Sequence, residues 1–207
     1  MPQSLYPRAD TDESMSVTVD QILDDIDVDE IESLAEEFTS LSNYERDQMN
    51  EATVRQQYIN PLLRALGWDT TSDQVLPEQR TLAGDADYAL SLNGREQFFI
   101  EAKRPARDLD GTRRVRGEDQ SFAVQAIDYA WHQGCDWAVL TNFETTRLYF
   151  SHVPKDSVDD GLVFEISVDD YTTDDGLEKL AQISKPAVRD GSLDALERSR
   201  ERDTVTD

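Results

Sequence analysis

The tightest constraint on the fold lies between Gly84 and Lys103. There the run Gly84-Asp85-Ala86-Asp87-Tyr88-Ala89-Leu90 is followed by Asn93-Gly94 and then by Phe98-Phe99-Ile100-Glu101-Ala102-Lys103. Two apolar runs around Asn-Gly predict a β-hairpin, because that dipeptide accepts the positive φ angles of a primed turn. Strand side chains alternate between faces, so Phe99, Glu101 and Lys103 share one face while Phe98, Ile100 and Ala102 share the other. Consecutive aromatics and an isoleucine mark the second strand as buried. A carboxylate and an ammonium at its end are costly to bury unless they are paired or bind a metal. The conflict between apolar strand and charged end predicts a site there. A salt-bridged end of an ordinary surface hairpin is the alternative.

Register sharpens the expectation. With a two-residue Asn93-Gly94 turn and unbroken pairing, Asp87 and Glu101 fall one step out of register and on opposite faces. A three-residue loop, or a single bulge, brings Asp87 across from Glu101, and bulges gather near active sites. One of these two is expected.

Asp-Tyr-Ala-Leu followed by Phe-Ile-Glu-Ala-Lys-Arg-Pro resembles the PD-(D/E)xK nuclease motif. The version is similar to that of the N-terminal domain of type I restriction enzyme R subunits and of fused restriction-modification enzymes. The resemblance implies that Asp87 and Glu101 ligate Mg²⁺ (or Mn²⁺), with the Ala102 carbonyl as a third ligand, and that Lys103 is the catalytic lysine. Ala86 stands where the motif's proline would be, and Asp85 is a second candidate carboxylate. In the resembling family a glutamate of the first helix approaches the metal. Glu51 is the matching candidate here, against a plain Glu51-Arg55 helix pair. Gln125 and Tyr129, four apart on one helical face, resemble the Gln-x-x-x-Tyr extra motif of RecB-like nucleases and of type I R subunits. They would contact DNA near the scissile phosphate or position the lysine.

After Lys103 the chain carries Arg104, Arg107, Arg113, Arg114 and Arg116 in a loop. Five arginines are conspicuous in a chain of net charge -24, with 44 acidic against 20 basic residues. Arginine suits bidentate phosphate contacts, and phosphate neutralisation supplies much of the affinity for nucleic acid. The loop is the candidate DNA contact; local compensation of Asp108, Asp110, Glu118 and Asp119 is the alternative. The acidic excess, with only four lysines, is what a cytoplasm at molar salt favours, since salt screens self-repulsion. A halophilic host is therefore expected, the competing reading being a protein that avoids nucleic acid or binds basic partners.

The single cysteine, Cys135, excludes an internal disulfide and reads as a small core residue. No run of about 18 apolar residues and no charged-then-apolar leader occur, so a cytoplasmic protein without membrane contact is expected. His132 and His152 lack paired ligand spacing, which argues against zinc.

Residues 1–19 carry no periodicity and are expected to be disordered. A single nuclease-like domain is expected over 20–185, with its motif core at 45–150, then a C-terminal helix and acidic tail over 186–207. Val19 to Leu41 predicts one broken or two short amphipathic helices. Their acidic outer face reads as a solvated surface, or as a shield over a basic groove. Asn50 is expected to cap a helix with the stripe Val54, Tyr58, Ile59, Leu62 and Leu66, interrupted by Pro61 and closed by Gly67. Trp68 to Pro77 predicts a short strand and connection. A helix is expected over 118–133, strands over 136–142, 145–150 and 162–168 (the last at an edge), and helices over 176–183 and 193–200.

The fold class expected is α/β, a restriction-endonuclease-like mixed sheet core flanked by helices. The function implied is a Mg-dependent DNA endonuclease, a restriction-type module acting on DNA with restriction-modification subunits in trans. The alternative is a catalytically inert DNA- or partner-binding module of the same fold, and a DNA mimic is a minor third reading.

Overall fold

The Asn-Gly hairpin forms where its sequence demands it in a computed structural model that describes residues 19–193 apart from Arg116. Asn93 (φ 54°) and Gly94 (φ 75°) both adopt positive φ, as a type I′ turn requires. They join β2 (Gly84–Leu92) to β3 (Arg95–Ala102). Pairing begins with Leu92↔Arg95 and Ser91↔Glu96, then resumes as Leu90↔Phe98, leaving Gln97 as the extra residue of a bulge. The two-residue turn with a bulge is therefore the solution adopted, and the three-residue loop is not.

Six strands form one mixed sheet in the order β1-β2-β3-β6-β7-β8. The remaining strands are β1 (Val75–Thr81), β6 (Trp137–Thr141), β7 (Thr145–Phe150) and β8 (Leu162–Ser167). β3 and β6 are parallel, and the other neighbours run antiparallel. β6 is buried at every position, as a strand covered on both faces must be. Phe98, Ile100, Trp137 and Val139 enter one apolar core, whereas Phe99, Ala138 and Leu140 enter the other. The alternation expected for the second hairpin strand is thus realised.

The first core is closed chiefly by the second, fourth and fifth of the N-terminal helices. Helix α1 (Val19–Leu23) and α2 (Val28–Ser40) are separate, divided ahead of the Asp27 cap. Short α3 (Asn43–Gln48) follows, and then α4 (Glu51–Val54), whose Asn50 cap accepts from Thr53 N. A π-helical turn (Arg55–Ile59) continues α4 directly into α5 (Asn60–Ala65). Pro61 has no N–H to donate one turn back, and the chain meets that loss with the wider turn rather than a break. Gly67 (φ 85°) ends the helix as expected.

The second core is covered by α6 (Phe122–Gln133). Helix α6 starts later than expected because Glu118–Ser121 forms a strand, β5, paired with β4 (Thr112–Val115) in a small second sheet. Ser121 caps α6 by accepting from Val124 N. The arginine-bearing segment is therefore built partly of a hairpin, not a plain loop. Trp68 lies in no strand; its indole donates to Ile183 O at 2.9 Å, and β1 begins only at Val75.

Helices α7 (Asp174–Ala181) and α8 (Lys185–Arg189) close the described chain. Of the residues 1–19 expected to be disordered, Val19 opens α1 and the rest lie outside the described residues, as do the helix expected over 193–200 beyond its first residue and the acidic tail. Among the described residues no helix is long and apolar enough to cross a membrane.

Candidate active site

The site lies where β2 and β3 end against α4 and α6. Backbone pairing between the two strands stops at Tyr88↔Ile100, one step short of Asp87 and Glu101. Beyond it Asp87 bridges by its side chain: Oδ2 accepts from Ala102 N at 2.8 Å. Oδ1 accepts from Arg55 Nη1 at 3.1 Å, and the Asp87 carbonyl accepts from Arg55 Nη2 at 3.4 Å. The Arg55 guanidinium also lies 4.9 Å from the centre of the Tyr88 ring. Arg55 opens the π-helical turn, a feature frequent at functional sites.

Glu101 is almost wholly buried. Its Oε1 accepts from Lys103 Nζ and, at 2.6 Å, from Gln125 Nε2. The same Gln125 amide nitrogen is 2.7 Å from the Tyr129 hydroxyl. Gln125 and Tyr129 therefore sit together at the site, and Gln125 holds Glu101 rather than Lys103. Glu101 Oε2 is buried with no hydrogen-bond partner. Lys103 Nζ also lies 4.8 Å from the centre of the Phe122 ring, which Arg107 approaches from outside at 5.2 Å. Lys103 N donates to Thr141 O at 2.8 Å, so β6 fixes the backbone that carries the ammonium.

Burial drives the electrostatics. It raises the Glu101 carboxyl to about 7, against the pull of Lys103 and with a further push from Asp87. Burial also raises Asp87, opposed by the Ala102 N–H and by Arg55. Glu51 is raised by burial and then by Asp87, which places it within the same field. Arg55 pairs with Asp87 and not with Glu51. Three carboxylates thus crowd one region. Among the described residues, however, no group of three or more His, Cys, Asp or Glu side chains is close enough to hold a metal by itself.

Asp85, the second candidate carboxylate, points outward and pairs with exposed Arg80 at 3.6 Å. Arg104, Arg107 and Arg114 are exposed, Arg113 is half-buried, and Arg116 lies outside the described residues. Arg55 and Phe122 are the contributors that the strand pattern does not reveal. A Phe immediately after a helix-capping Ser, one turn from Gln125, is the trace that Phe122 leaves in the sequence.

No protein-family model matches the chain. Over 136 residues, 58% of its length, the chain is 29% identical to the type II restriction enzyme and methyltransferase RM.Eco57I of Escherichia coli. It is similar to a restriction enzyme. It spans 13% of that relative's length. Among solved structures, the type IIG restriction endonuclease BpuSI matches at 18% identity with a TM-score of 0.44, covering 64% of this chain and 16% of that one. The DrdV–DNA complex matches at 17% identity with a TM-score of 0.44, covering 74% of this chain and 94% of that one.

Proposed function

We propose that the chain is a restriction-type nuclease module that hydrolyses DNA phosphodiesters with Mg²⁺ or Mn²⁺. The observation that carries this reading is Glu101: a buried carboxylate held on one oxygen by Lys103 and Gln125, with its other oxygen unpartnered. A native fold rarely leaves such an atom without a reason. The likeness to a restriction enzyme over 136 residues supports the same reading.

Glu101 Oε2, Asp87 and the Ala102 carbonyl are the groups that would hold the ion, with Glu51 as a further candidate. Such a set fits Mg²⁺, which binds through one or two carboxylates and keeps several waters, so a full protein cage is unnecessary. When bound, the ion supplies an activated water and neutralises charge on the phosphate. Lys103, paired with Glu101, acts as a fixed positive charge. Arg55 holds Asp87 in place, and Gln125 fixes the Glu101 rotamer. Arg104, Arg107, Arg114 and Arg116 are the candidates for the DNA backbone, on a protein whose net charge of -24 otherwise repels it. Action with restriction-modification subunits in trans, as in type I enzymes, is part of this proposal.

Plasmid cleavage in high KCl with Mg²⁺ or Mn²⁺ tests the reading, with Glu101→Gln and Lys103→Ala as controls. Nicking or linearisation by the intact chain, lost in both variants, is expected. DNA binding without cleavage under every metal condition would favour the inert binding module instead.

A further inference from the structure

We infer that Arg113 is the cation that meets the scissile phosphate, a role that rests on the nuclease reading and sets Arg113 apart from the other arginines of its segment. The β4–β5 pairing places Arg113 across from Gln120 and Arg114 across from Asp119. Adjacent strand residues face opposite ways, so Arg114 is exposed while Arg113 turns inward. Its Nε is buried and has no hydrogen-bond partner. Leaving a buried donor unpaired is costly, and an anionic ligand oxygen would satisfy it.

The surroundings are those of the site. The positive charge of Arg113 favours ionisation of Glu101 and of the Tyr129 hydroxyl, against the burial that opposes both. Gly84 (φ 136°) borders the same space: a Cβ there would lie 3.4 Å from the Tyr129 hydroxyl and 3.9 Å from Arg113 Nη2. A side chain at Gly84 would touch the guanidinium and strain its own backbone.

Charge balance points the same way. Lys103 is paired with Glu101, and Arg55 with Asp87. Among the described residues Arg113 forms no such ion pair, which leaves its charge available to an incoming anion. During hydrolysis a water oxygen bonds to phosphorus as a P–O ester bond breaks. The water's proton passes to solvent, and the departing alkoxide takes one up. Negative charge gathers on the non-bridging oxygens, where a planar guanidinium fork can contact two of them at once.

The test is single-turnover cleavage of plasmid by the full chain in excess, alongside duplex binding by anisotropy. Wild type is compared with Arg113→Ala, Arg113→Lys and a charge control, Arg95→Ala, at the far end of β3. Arg113→Ala is expected to slow cleavage of bound DNA about 100-fold or more, the loss typical of removing one transition-state donor. Affinity should change only severalfold. Millimolar guanidinium should restore part of the rate, Arg113→Lys should retain part of it, and Arg95→Ala should cleave as wild type does. If Arg113→Ala melts below the assay temperature, Arg113→Lys decides by the same rate criterion. A wild-type rate in the Arg113 variant, or a loss explained wholly by weaker binding, overturns the inference while the nuclease reading survives. Absence of cleavage by wild type removes both.

Discussion

Gln125 donates to Glu101 Oε1 at 2.6 Å, so one amide joins helix α6 to the end of β3. Replacing it with alanine leaves Glu101 tied only to Lys103 and takes one partner of the Tyr129 hydroxyl away. Loss of a buried hydrogen bond to a charged group costs about 1.5–3 kcal/mol. Gln125→Ala should lower the melting temperature by several degrees and reduce cleavage, while Gln125→Glu, which sets a second carboxylate against Glu101, should destabilise more. Thermal melts of the three proteins at neutral pH decide the order.

Arg55 and Asp87 form a pair whose side chains are 18% and 12% exposed. Removing one member of so buried a pair leaves the other charge uncompensated, and about 2 kcal/mol or more is expected to be lost in Arg55→Met. Adding Asp87→Asn to that variant should recover much of the loss. A double-mutant cycle by urea unfolding measures the coupling; simple additivity would show that the pair contributes little.

The Gln97 bulge absorbs the one residue by which the intact chain exceeds an unbroken two-residue hairpin. With Gln97 deleted, Leu90↔Phe98 follows Ser91↔Glu96 directly, so Asp87 stays across from Glu101 and β3 keeps its faces. The deleted chain should therefore keep the native circular dichroism spectrum. Inserting one residue into the Asn93-Gly94 turn of that chain should cost stability, because the added residue must be absorbed again by a wider loop or a new bulge. Loss of the native spectrum on deletion alone would mean that the bulge does more than count residues.

Burial pushes the Cys135 thiol up to about 12. The thiolate is the reactive form, so native protein should resist iodoacetamide at pH 8 and label readily in urea, as mass spectrometry will show. The folded-state pKa lies above the thiol's ordinary value of 9.0, so ionisation costs stability as pH rises from 9 towards 12.

A net charge of -24 destabilises the compact state by self-repulsion. The Debye length falls from about 10 Å at 0.1 M salt to about 3 Å at 1 M. The melting temperature should therefore climb over that KCl range, and a flat response would remove the halophilic expectation.

The hairpin was legible because a period of two sorts Phe98 and Ile100 from Phe99 and Glu101 without any tertiary knowledge. The helix from Glu51 was legible through Asn50 and its apolar stripe. Arg55 was not, because its partner Asp87 is 32 positions away and Glu51, one helical turn back, offers an obvious but wrong mate. The β4–β5 hairpin was hidden because Thr-Arg-Arg-Val and Glu-Asp-Gln-Ser carry almost no apolar alternation. Its strands instead passed for a loop and a helix start. Pro61 forecast a disturbance in the helix but could not specify the π-helical turn that absorbs it. The bulge was one of two options that sequence alone treats as equal.

The parallel pairing of β3 with β6 has a kinetic consequence. Parallel neighbours close only after a long crossover has been threaded, here through β4, β5 and α6, so this contact is among the later ones to form. The Lys103 amide bonds to Thr141 across that seam. Its hydrogen exchange should accordingly be governed by global rather than local opening. A newly made chain would then have no assembled site until the whole sheet has closed.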